Sequence, residues 1–166
     1  MNIFKMKIIH NLLEPTVFKD IQNFIFKSHN FPLFYHNDVG IKGDISDFMF
    51  THLFYINDKQ NSDFMSFILN PILDKLKPKK LIRAKLNCYT KKEKHIKTAA
   101  HVDYKYPHKV ALFSLNTCNG YTYFTKSKKK IYSVENDCVL FNGQLEHCSV
   151  NQTDENLRIN ININYK

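Results

Sequence analysis

Residues 157–165 read Leu157-Arg-Ile-Asn-Ile-Asn-Ile-Asn-Tyr165. The alternation has a period of two, the repeat of a β-strand, so Leu157, Ile159, Ile161, Ile163 and Tyr165 share one face. Arg158, Asn160, Asn162 and Asn164 share the other. An edge strand with a wet face gives this pattern, and so does a strand lining a polar cavity.

Upstream, from Leu81 onward, apolar residues alternate or come in short runs bounded by turns. This predicts eight strands: 81–89, 99–103, 109–116, 121–124, 131–134, 138–141, 146–150 and 157–165. Asn119-Gly120 and Asn142-Gly143 are expected as turns between them. The first half differs. Pro15 suits the first turn of a helix, and Val17, Phe18, Ile21, Phe24 and Ile25 follow at helical spacing. A second helix is expected from about Ser62, broken or kinked at Pro71. Between the two, Phe31 to Tyr55 is aromatic and reads as irregular, with Gly40 and Gly43 as turn signals. The fold class is therefore mainly β: a jelly-roll barrel buttressed by two or three N-terminal α-helices. One domain over residues 1–166 is expected, with helices and loops in 1–80 and the β core in 81–166.

Composition narrows the classes. A chain of 166 residues with 43% hydrophobic and 23% charged residues, four Gly and five Pro is neither fibrous nor disordered. No apolar run reaches the roughly 18 residues of a membrane-spanning helix, so no membrane partner is expected. The opening residues Met1 to Lys7 break with charges too early for a signal peptide, so the expected location is cytoplasmic, not secreted. Cys88, Cys118, Cys138 and Cys148 form no C-x-x-C pair and read as reduced, buried thiols. The net charge of +9 permits contact with nucleic acid or acidic peptide, but it is equally a property of a Lys- and Asn-rich composition.

The chemistry gathers around His101-Val-Asp103. At i and i+2 on a strand, the two metal-capable side chains share a face. His147 follows 44 residues after Asp103. Two imidazoles and one carboxylate leave open positions on a metal, the ligand set of non-haem Fe(II) oxygenases. Eleven residues further stands Arg158, one of only two arginines, on the polar face of the last strand. Its planar fork suits a carboxylate. H-x-D alone is a weak signal, and a second copy, His36-Asn-Asp38, lies in the irregular segment and reads as a loop.

Beyond these four residues, longer stretches carry a family likeness. They include Asn11-Leu-Leu-Glu-Pro15, Phe31-Pro-Leu-Phe-Tyr35, Ile82-Arg-Ala-Lys-Leu-Asn-Cys-Tyr89, His101-Val-Asp-Tyr104, Asn119-Gly-Tyr-Thr122 and Arg158 to Tyr165. The sequence resembles the Fe(II)/2-oxoglutarate-dependent dioxygenases, in particular small phage-encoded, prolyl-4-hydroxylase-like members, over nearly its whole length. The resemblance implies a double-stranded β-helix, with His101, Asp103 and His147 on Fe(II) and Arg158 on the distal carboxylate of 2-oxoglutarate. It adds Tyr89, Asn87 and Asn160 as cosubstrate contacts, O2 as the oxidant and ascorbate as an accessory reductant. Collagen-type prolyl hydroxylases often carry Lys where Arg158 stands, which is a departure. The implied substrate is a proline-containing peptide or protein, the protein acting as a monomer or weak dimer in a host cytoplasm if phage-encoded. A nucleic-acid hydroxylase or demethylase of the same superfamily is the alternative, and a non-catalytic binding module the third reading. Phe31, Phe34, Tyr35, Tyr104 and Tyr106 can hold a proline ring, stack on a base or simply fill the core.

Overall fold

The computed structural model describes residues 6–41, 43 and 47–166; residues 1–5 of the stretch weighed above as a signal peptide lie outside them. In chain order the elements are β1 (Lys7–Ile9), α1 (Pro15–Lys27), β2 (Phe34–His36), β3 (Met49–Ile56) and β4 (Lys59–Gln60). A π-helical turn, Met65–Leu69, runs into α2 (Asn70–Leu76). Then come β5 (Leu81–Thr90), β6 (Lys109–Ser114), β7 (Cys118–Phe124), β8 (Lys129–Ser133), β9 (Cys138–Asn142), β10 (His147–Val150) and β11 (Leu157–Tyr165).

Two antiparallel sheets result. The larger runs β1-β9-β6-β11-β5-β3-β2, with β4 on β3, and the smaller runs β10-β7-β8. The alternating last strand is central, not an edge: β11 pairs with β5 along one side and with β6 along the other. Its Ile159, Ile161 and Ile163 are buried in the main core with Phe18, Ile21 and Ile25 of α1 and Ile72 of α2. Pro15 opens α1, and the 18/21/25 spacing puts those three side chains on its inner face. Each fully buried side chain of this kind contributes roughly 1.5–3 kcal/mol. The four cysteines are free and buried. Among the described residues no helix is long and apolar enough to cross a membrane.

Several expectations need correction. Residues 99–103 are not a regular strand; the segment meets β10 at two isolated bridges, Lys97↔Val150 and His101↔His147. Four residue steps on one side face three on the other, so the ladder cannot stay in register. The Thr98 hydroxyl also accepts the Ser149 N–H (3.2 Å), taking the place of a backbone carbonyl. Asn119-Gly120 is not a turn but lies inside β7, at a register shift between Cys118 and Tyr121. The stretch 31–55 is not all irregular, since it supplies β2 and the eight-residue β3. Asn142-Gly143 does turn, the Leu145 N–H donating to the Asn142 carbonyl at 2.9 Å. The expected break at Pro71 is the change from π to α geometry, which puts proline in the first turn of α2.

Candidate active site

The polar face of β11 meets the polar face of β5 in a fixed ladder: Arg158 opposite Tyr89, Asn160 opposite Asn87, Asn162 opposite Lys85, Asn164 opposite Arg83. Together with Thr122 of β7 and Ser149 of β10, much of this ladder lines a cavity of about 350 Å³. Ala84, Leu86 and Cys88, the intervening residues of β5, belong to the core on the other side.

At one end of the cavity stand His101, Asp103 and His147. The two histidines are a hydrogen-bonded antiparallel pair: each backbone N–H donates to the other's carbonyl at 2.9 Å. That pairing places the imidazoles side by side, ring centroids 5.0 Å apart. One ligand atom from each of His101, Asp103 and His147 falls within 4.8 Å of the others. His101 Nε2 is 3.8 Å from Asp103 Oδ1. The other ring nitrogens point at backbone carbonyls, His101 Nδ1 at Ala99 (3.2 Å) and His147 Nδ1 at Leu145 (2.9 Å). A carbonyl only accepts, so both Nδ1 atoms carry the proton and both Nε2 atoms present a lone pair. Burial lowers the His147 pKa, keeping the ring neutral, although Asp103 acts the other way. Two tautomer-fixed imidazoles beside a carboxylate fit a divalent metal.

Asp103 is held from two sides. Its Oδ1 accepts from Arg83 Nη2 at 3.0 Å, and its Oδ2 accepts from Asn164 Nδ2 at 2.7 Å and Asn162 Nδ2 at 3.2 Å. Burial by itself raises this carboxyl, but Arg83, His147 and the two amides together hold it well below the usual carboxylate range.

At the other end Arg158 is 2% exposed. Its Nη1 donates to Ser149 Oγ (2.8 Å) and the Val150 carbonyl (3.3 Å), and its Nη2 to Thr122 Oγ1 (3.3 Å). The guanidinium lies 5.4 Å from the Tyr89 ring centroid. Burial pushes the Tyr89 phenol up, so it stays a neutral donor. Among the described residues no carboxylate pairs with Arg158, and its Nε is buried without a partner. Arg83 Nε, Asn87 Oδ1, Asn162 Oδ1 and Asn164 Oδ1 are orphaned in the same way. Of these atoms the guanidinium Nε–H of Arg158 is a donor that an acidic ligand would satisfy, whereas the amide oxygens are acceptors and call for a ligand or water N–H or O–H.

No family model matches the sequence, and no curated protein matches it. Solved structures do. The chain is similar to a prolyl hydroxylase of Trichoplax adhaerens in complex with a hypoxia-inducible-factor oxygen degradation domain peptide fragment, with a TM-score of 0.67 and 13% identity over 96% of this chain and 82% of that one. It is similar to the viral collagen prolyl hydroxylase of Paramecium bursaria Chlorella virus-1 in its 2-oxoglutarate complex (0.59, 13%, 97% and 96%). It is also similar to HygX of Streptomyces hygroscopicus with nickel and 2-oxoglutarate bound (0.60, 11%, 96% and 82%). The chain has the fold of the 2-oxoglutarate/Fe(II) oxygenases.

Within this oxygenase fold the residues singled out from sequence come together: His101, Asp103, His147, Arg158, Tyr89, Asn87 and Asn160 all line the one cavity. Asn87 and Asn160 also bind each other, Asn87 Nδ2 donating to Asn160 Oδ1 at 3.2 Å. The second H-x-D copy is nearer than expected. His36 and Asp38 line the same cavity, yet Asp38 accepts the Gly43 N–H (3.2 Å) and neither joins the metal-type cluster. Arg83 and Lys85 were missed, and Asn162 and Asn164 were placed on the polar face of the last strand without a role. Their signal was available: β5 and β11 alternate in step, so once Tyr89 and Arg158 are assigned to the cavity, every second residue on both strands goes with them.

Proposed function

We propose that the protein is an Fe(II)- and 2-oxoglutarate-dependent dioxygenase that hydroxylates proline in a peptide or protein. The observation that carries it is the pairing, in one cavity, of a His101/Asp103/His147 cluster with a buried guanidinium, Arg158, that has no acid partner among the described residues. A charge buried without a counter-charge is costly, and the distal carboxylate of 2-oxoglutarate would supply one. His101, Asp103 and His147 would hold the iron. When bound, iron would activate O2, the oxidant, with 2-oxoglutarate as co-reductant, one oxygen atom going to the substrate and the other into succinate as carbon dioxide is released. The chain's own residues do the rest. Ser149 and Thr122 aim the Arg158 fork, Tyr89 offers a neutral hydroxyl, and Arg83 with Asn162 and Asn164 fixes the Asp103 carboxylate. Val39, Met49, Leu112 and Phe141 supply apolar wall that excludes water. The peptide substrate is supported by likeness to structures of prolyl hydroxylases, one of them with a peptide bound.

The test is mass spectrometry of proline-containing peptides and of oligonucleotides after incubation with Fe(II), 2-oxoglutarate, ascorbate and air. Gain of one oxygen on proline, dependent on both iron and 2-oxoglutarate, is expected. Oxidation confined to nucleotides would overturn the peptide reading, and no succinate with any substrate would overturn the dioxygenase.

A further inference from the structure

Besides Arg158 of β11, the cavity has two cations on its β5 wall, and only one of them is engaged. Arg83 is committed to Asp103 at 3.0 Å. Lys85, two residues on and facing the same cavity, forms no hydrogen bond and no ion pair among the described residues. Its register partners are Leu53 of β3 and Asn162 of β11, and neither is an acid. The Asn162 amide is turned to Asp103, leaving its Oδ1 unpaired. The charged groups that act on Lys85 are Arg83, which repels it, and Asp103 and Asp38, which attract it from a distance; burial and Arg83 push its pKa down to about 8. A half-shielded ammonium without a contact partner is a binding group waiting for an anion.

Charge balance says which ligand that is not. Iron, Asp103 and dianionic 2-oxoglutarate sum to one negative charge, which Arg158 neutralises. Arg83 and Lys85 then leave the loaded site positive by two, and Asp38 at its mouth offsets one of these. One positive charge is left for the molecule that enters last. The cavity is not built to track a phosphate backbone: Val39, Gly40 and Ile41 line it beside Asp38, and Lys126, Lys128, Lys129 and Lys130 do not. We propose that Lys85 receives an Asp or Glu carboxylate of the peptide substrate, close to the residue that is oxidised. This rests on the peptide reading above.

The experiment passes random-sequence decapeptides over the immobilised, anaerobic Fe(II)–2-oxoglutarate enzyme, sequences those retained, and then admits air and scores oxygen gain. The wild type is expected to enrich Asp or Glu at a fixed position by about tenfold or more, the size of a charge-assisted contact. Lys85→Met should lose that enrichment, and Lys85→Glu should replace it with Lys or Arg. Acidic enrichment without proline keeps this inference and overturns the proline reading. Proline enrichment without an acidic position in the wild type overturns this inference alone, whether or not the variants fold. Lys85→Met that binds 2-oxoglutarate less tightly while its peptide selectivity is unchanged assigns Lys85 to the cosubstrate and overturns the inference. So does Lys85-dependent retention of an oligodeoxythymidylate probe with no peptide selected.

Discussion

Gly40 lies against the imidazole of His101: a methyl group built on its α-carbon would fall 2.5 Å from Cε1 and 2.7 Å from Nδ1. Its φ of +82° is a second demand for glycine. The backbone after β2 therefore packs directly on the ring whose Nε2 belongs to the candidate metal cluster. Gly40→Ala must displace either the loop or the ring. Metal affinity should fall by about tenfold or more, as when other supports of a ligand are lost. Competition against a chelator measures it, and an unchanged affinity would show that the contact is slack.

The two H-x-D copies share a cavity, which makes a sharp comparison. Asp103→Ala should abolish turnover and bound metal together, because it removes one of the three residues of the only metal-type cluster among the described residues. His36→Ala and Asp38→Ala should retain metal at the wild-type level, as determined by elemental analysis. Metal lost from either of these, with Asp103→Ala still active, would mean that the wrong copy was chosen.

Arg158→Ala should raise the apparent KM for 2-oxoglutarate by about 10- to 150-fold with metal binding retained, the worth of a bidentate contact to a charge. Arg158→Lys should fall between, keeping charge but losing the fork. Gly120 offers an independent handle. A methyl group there would sit 2.8 Å from Arg158 Cδ, and the β7 register shift exists at this point. Gly120→Ala should raise the same KM in the same direction without touching a ligand-binding atom. Initial rates across a 2-oxoglutarate series decide both, and an unaltered KM in Arg158→Ala removes the cosubstrate assignment.

Sequence was most legible where one face is apolar and the other polar. Residues 157–165 alternate without exception, and β11 is placed residue for residue as the pattern implies. Legibility failed where other forces replaced alternation. In β3 apolar residues fall on both faces and the pairing with β5 shifts register between Leu53 and Tyr55, so Met49 to Ile56 shows no clean period of two. Around His101 the pairing is broken by an extra residue and by the Thr98 hydroxyl, features that no hydrophobic pattern reports. The site residues were readable because metal and carboxylate chemistry selects rare residue types. Lys85 was not, because a lysine in a chain with 24 basic residues looks like surface until the strand that carries it is known to face inward.

Lys85 also makes a prediction about stability in the metal-free protein, where no ligand offsets it. Its pKa is lowered from 10.5 to about 8, chiefly by burial, so the folded state holds the ammonium less well than the unfolded chain does. Below pH 8 both states are protonated and the folded state bears the full penalty. Between about pH 8 and 10.5 the unfolded chain binds more protons, so stability rises with pH and the penalty disappears. Taken at face value the shift is worth about 3 kcal/mol, and partial access to solvent through the cavity mouth reduces this to roughly 1–2 kcal/mol. Lys85→Met keeps the length of the side chain and removes the charge. It should therefore stabilise the metal-free protein by that amount at pH 7 and by little at pH 10.5, as urea unfolding at the two pH values would show. A variant less stable at pH 7, or a gain that does not change with pH, would mean that the ammonium is already satisfied in the empty cavity and is not held ready for an acid.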